Sequence, residues 1–213
     1  MKAGSFFTLA LLLCSFSSFA QTLSIQVHEF TNPSEADSQR VERALFLLED
    51  IVNDEDFRQQ ALNMSYKIGS TTYTGFTQTE LSAEEVLNSI FEAKENFDEG
   101  SAGVMDLFMD MYYARSSTIG YTSQRDKFFH MNRYHHQNYS PAQTVGNIFH
   151  EWLHKIGHGH SKRNNTYRPH SVPYKLGNLI AKMAAERDSH GDPVLKSMFM
   201  QEFNEGMNQD CQH

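Results

Sequence analysis

The stretch His150-Glu151-Trp152-Leu153-His154-Lys155-Ile156-Gly157-His158-Gly159-His160 decides how this chain is read. Its pattern is H-E-x-x-H followed by x-x-G-x-x-H. An α-helix turns roughly 100° per residue, so His150 and His154 stand one turn apart on one face. Two imidazoles held that way can share a zinc ion, and Glu151 beside them can reach a water activated there. His160, six residues beyond His154, supplies a third ligand. Gly157 provides the means, because glycine readily takes the left-handed conformation that ends a helix and turns the chain back. Three His ligands leave the fourth tetrahedral position open, the arrangement of a catalytic rather than a structural zinc.

The flanking residues agree. Ser140-Pro141 is a helix start, with Ser140 as cap and Pro141 at the first helical position. From there Val145, Ile148, Phe149, Trp152, Leu153 and Ile156 fall on one face at helical spacing, and His150 and His154 fall on roughly the opposite one. The pattern predicts a helix packed on a core by its apolar side and lining a cleft with its His side.

The run from His150 to His160 resembles the zinc signature of the metzincin clan of metallopeptidases. The resemblance implies that His150, His154 and His160 bind zinc and that Glu151 is the general base. It also implies a fold of the α+β class: a twisted mixed β-sheet, long helices including the zinc-binding one, and a small C-terminal helical subdomain. In that clan a methionine-containing turn underlies the metal. The best local match is Ser171-Val172-Pro173-Tyr174, with Pro173 where Met would stand and Tyr174 one place early. Tyr174 is thereby a candidate to ligate zinc at rest or to donate to the developing oxyanion. A variant with Glu186 as third ligand is disfavoured by His160 at the better-known spacing.

Length and composition bound the rest. The chain has 213 residues, a formal charge of −8 and 39% hydrophobic residues, one domain's worth with no basic excess to suggest nucleic acid. Lys2, the apolar run from Phe6 to Phe19 and the small-x-small Ser18-Phe19-Ala20 read as a secretory signal peptide over 1–20. No later stretch approaches the ~20 apolar residues of a spanning helix. Cys14 is not read as a lipidation site, since Leu13 stands where a small residue is expected. Cys211 is then the single thiol of the mature chain, so no internal disulfide is expected. Residues 21–213 are expected to form one domain, divided at 157/158 into N- and C-terminal subdomains, and to be monomeric, exported and not membrane-anchored.

Along the mature chain, Ser24–Phe30 alternates like a strand, and Ser34 caps a helix reaching about Val52. Residues 65–78 read as one or two strands. Ser82 with Glu85 forms a capping box opening a helix to about Phe97. Met105–Met111 reads as a half-buried strand whose methionines fill the core. Residues 117–122 and 127–132 read as short strands, the first a candidate edge strand for substrate. Tyr134–Tyr139 is expected to be a solvated loop in which His135 and His136 share no metal. Helices are expected from Tyr174 to about Arg187 and from Pro193 to Met207.

The expected activity is that of a secreted zinc metallopeptidase, a hydrolase acting on a protein or peptide substrate. The alternatives are a zinc hydrolase of a cell-wall amide, and a zinc-containing binding protein without turnover. The intact Glu151 argues against the last.

Overall fold

The computed structural model describes residues 21–66, 82–95, 102–123, 125–160 and 168–188. The leader at 1–20, most of the strands expected over 65–78, the basic segment after His160, the helix expected over 193–207 and Cys211 lie outside the described residues.

Among the described residues the chain is α+β, with an open four-stranded mixed sheet and six helices. Strand β1 is Ser24–Thr31, followed by α1, Glu35–Val52, and α2, Glu55–Leu62. Helix α3, Ala83–Glu92, leads to β2, Val104–Tyr112, and then to the two-residue β3, Gly120–Tyr121, and β4, Phe129–Asn132. The single turn α4, Arg133–His136, precedes α5, Pro141–Lys155, and a 3-10 turn at Arg168–His170 precedes α6, Val172–Asp188. The sheet order is β1-β2-β4-β3, with β2 parallel to both β1 and β4, and β3 antiparallel at the edge.

Local chemistry explains the boundaries. Ser34, Ser82 and Ser140 each accept from the backbone three residues on, and Asp37, Glu85 and Gln143 answer with a side-chain bond to the cap. Each reciprocal pair satisfies two of the amide donors that a helix start leaves open. Helix α3 stops at Glu92, short of the expected Phe97. Ala93 takes a left-handed conformation (φ 48°) and its N–H returns to the Ser89 carbonyl, so the chain leaves the helix there.

β2 lies in the interior of the sheet, and its two faces differ. Met105, Leu107, Met109 and Met111 point into the hydrophobic core with Val145, Ile148, Phe149 and Trp152 of α5. The other face carries Asp106, Phe108, Asp110 and Tyr112, and it is more covered than a half-buried strand implies. Asp106 and Phe108 are buried there, because His28 of β1 bonds Asp106 at 2.6 Å and stacks on Phe108.

Helix α5 packs on both α1 and α6. The α5–α6 crossing is made by two glycines. A methyl group added to Gly146 would stand 2.9 Å from the Gly177 carbonyl and 2.8 Å from Ala181 Cβ. One added to Gly177 would stand 2.9 Å from the Gly146 carbonyl and 3.3 Å from His150 Cβ. Only residues without side chains allow backbones to approach this closely, and the approach brings the start of α6 under His150. Arg43 binds Asp188, and Arg187 binds Asp50 and Asp54, fastening the far end of α6 to the region of α1 and α2.

Candidate metal centre

The three histidines of the motif converge. Their ligand atoms all lie within 4.8 Å of one another, the sole such group of His, Cys, Asp or Glu among the described residues. His150 and His154 come from the last two turns of α5. His160 is returned by the turn that ends the helix. Gly157 has φ 107°, its N–H bonds the His154 carbonyl at 3.2 Å, and the His158 N–H bonds the Leu153 carbonyl at 2.9 Å. These two bonds with a left-handed residue form a Schellman motif, which folds the chain back over the last turn.

That turn also orients a ligand. The His154 Nδ1 lies 2.7 Å from the His158 carbonyl, which can only accept, so Nδ1 carries the hydrogen and Nε2 keeps its lone pair. His150 bonds the backbone of Pro173, which has no N–H and therefore accepts through its carbonyl. Partners of this kind fix the tautomer and ring direction of metal-binding histidines. The His150 and His160 Nε2 atoms are 3.2 Å apart. Two nitrogens at ordinary zinc bond lengths on a tetrahedron are separated by ~3.3 Å, so the donor set fits a zinc-sized ion.

The electrostatics suit a cation. Burial pulls the pKa of His154 down to about 4, against the opposing bond to His158. Burial, then the neighbouring His154 and His160, holds His150 well below the ordinary range. Neutral imidazoles are what a metal requires. Glu151, 5% exposed, is pushed up to about 8 by burial. Its Oε1 faces the edge strand, where a methyl group on Gly120 would stand 3.2 Å away.

Tyr174 stands beneath the triad, its ring centroid 4.7 Å from that of His150 and 4.9 Å from that of His160. Arg168 Nε donates to its hydroxyl at 2.8 Å. Glu186 is exposed, more than three turns farther along α6, and is not part of the group. His158 is buried and turned away: Ser89 Oγ donates to the Val86 carbonyl, so His158 Nε2 donates to Ser89 Oγ at 2.7 Å.

Two neighbours differ from expectation. The strand expected over 117–122 is reduced to Gly120–Tyr121, because Asn132 bonds the backbone of Ala114 and Thr118 and holds 113–119 as a loop. His136, expected in a solvated loop, is 1% exposed on α4 and bonds Asn147 Oδ1 at 3.0 Å. His135 points outward to the Ser116 carbonyl instead.

Comparison of the chain with family models, curated proteins and solved structures gives no match.

Several residues around the triad were not singled out from sequence. Asn147 had a visible signal, since Thr144, Asn147, Glu151 and His154 make a polar stripe at 3-4 spacing. The Pro173 carbonyl, Arg168 and the Gly146–Gly177 pair had none, because each acts through a partner distant in sequence.

Proposed function

We propose that the chain is a secreted zinc metallopeptidase of the metzincin type, exported by the leader at 1–20 and acting on protein or peptide substrates. The observation that carries this reading is the convergence of three His side chains on one point beside a buried carboxylate facing a sheet edge. A structural zinc site has four protein ligands, whereas this group offers three among the described residues.

His150, His154 and His160 would hold the ion. When bound, zinc supplies Lewis acidity, which makes water nucleophilic near neutral pH and polarises an acyl oxygen. Glu151 takes the proton of the attacking water and passes it to the leaving amine, the two halves of general base and general acid work. A cation beside Glu151 favours its ionised form, offsetting the burial that raises its pKa. Tyr174, with Arg168 on its hydroxyl oxygen, is oriented to donate to a developing oxyanion. The backbone of β3 is available to pair with extended substrate.

The test is digestion of a peptide library by the zinc-loaded mature protein, run beside Glu151→Gln. Cleavage by the wild type, with a ~10²–10⁴-fold loss in the variant at unchanged zinc content, is the expected result. No cleavage of any peptide, with cell-wall amides hydrolysed instead, overturns the peptidase reading while keeping the hydrolase.

A further inference from the structure

Asn147 lies one helical turn before Glu151 on the same face of α5, so the two side chains are neighbours. Both are covered by one backbone: a methyl group on Gly120 would stand 3.2 Å from Asn147 Oδ1 and 3.2 Å from Glu151 Oε1. The amide therefore sits between the zinc helix and the sheet edge, next to the general base. Its orientation is fixed from behind by His136 Nε2, 3.0 Å from Asn147 Oδ1. His136 Nδ1 is buried without a partner. If the amide were turned over, that nitrogen would carry a buried N–H with no acceptor, which is costlier than an unused lone pair. The bond thus runs from His136 Nε2–H to Asn147 Oδ1. Asn147 Nδ2 has no partner among the described residues, although the side chain is only partly exposed. Burial keeps the His136 pKa near 4, so the ring is neutral across the working range.

We propose that Asn147 is a substrate-binding residue whose Nδ2 donates to a backbone carbonyl of the peptide lying along β3, with His136 as the positioning residue that holds the amide. The proposal rests on the peptidase reading and adds a contact one turn from the reacting centre. At that distance the bond is equally strong in the bound substrate and in the transition state, so it appears in KM rather than kcat. A single neutral hydrogen bond corresponds to a roughly three- to tenfold change.

The experiment measures binding of two probes to the zinc-loaded protein, a dipeptide hydroxamate and acetohydroxamate, together with KM and kcat for any cleaved peptide. Asn147→Ala should weaken the dipeptide probe roughly three- to tenfold, leave acetohydroxamate and zinc content unchanged, and raise KM by the same factor. Asn147→Asp keeps the acceptor for His136 and removes the donor, so it gives the same loss if the alanine variant does not fold. His136→Leu should show the KM effect and His136→Gln, which retains an N–H donor, should rescue it. A wild type that prefers the dipeptide probe, with Asn147 variants that prefer it equally, overturns the role of Asn147 alone. A wild type that binds both probes alike overturns the peptide-binding reading itself, and the contact with it.

Discussion

His154 Nδ1 bonds the carbonyl of His158, four residues onward, at 2.7 Å, so the residue that follows the motif's glycine aims one of the motif's ligands. The bond exists because Gly157 adopts φ 107°, a conformation that strains any residue with a Cβ. Gly157→Ala should therefore loosen two ligands together, His154 through its lost partner and His160 through its displaced backbone. Loss of such an outer partner typically weakens metal binding ~10–100-fold. Zinc competition titration checks this. Unchanged affinity would show that the turn is not what aims the rings.

His160→Ala removes the ligand that the turn delivers. Zinc binding should fall far more than with His158→Ala, because the His158 ring faces Ser89 rather than the triad. Metal analysis after dialysis separates the two. Equal losses would mean that His158 matters through more than its carbonyl.

Tyr174→Phe keeps the ring that packs on His150 and His160 and removes the hydroxyl that Arg168 orients. Turnover should fall by ~10²–10³, the usual effect of losing one oxyanion donor, with thermal stability and zinc content unchanged. Steady-state kinetics on the peptide found by library digestion gives the answer. A fully active variant returns Tyr174 to a packing role.

Trp152, the sole tryptophan of the chain, donates its indole N–H to Glu95 Oε1 at 2.7 Å. Burial raises the Glu95 pKa from 4.5 to about 7. Trp152 emission should therefore change across a transition centred near pH 7, and Glu95→Gln should abolish it. The linkage has a definite sign. Between about 4.5 and 7 the folded chain holds a proton that the unfolded chain has released, so this group's contribution to stability falls as pH rises through that window and is level above it. Denaturant melts of wild type and Glu95→Gln at pH 4.5 and pH 7 should diverge accordingly. A flat emission profile would remove the assignment.

Much of the site was legible because it is local. The ligand spacing, the Ser140 cap with Pro141, and the glycine at position 157 lie within one helix and its exit, where periodicity and capping chemistry speak directly. The α+β class was likewise within reach, since β1, α1, β2, β4 and α5 each carry their own pattern. What could not be read was pairwise and distant. The burial of His136 depends on Asn147, the shortening of β3 on Asn132, and the coverage of Asp106 on His28. The end of α3 at Ala93 was hidden for another reason, since alanine ordinarily favours helix and here takes a left-handed backbone.

The contact between Gly146 and Gly177 has a mechanical consequence. Most packed helices are held apart by a layer of interlocking side chains, but at this one point the two backbones meet directly, with no room for a side chain between them. The floor formed by α6 is thereby set at a distance from the helix of His150 and Glu151 that any side chain at position 146 or 177 would have to widen. The opposite wall is slighter, a sheet edge of two paired residues, Gly120 and Tyr121. The triad thus lies between a wall seated backbone on backbone and one that is only a two-residue strand wide.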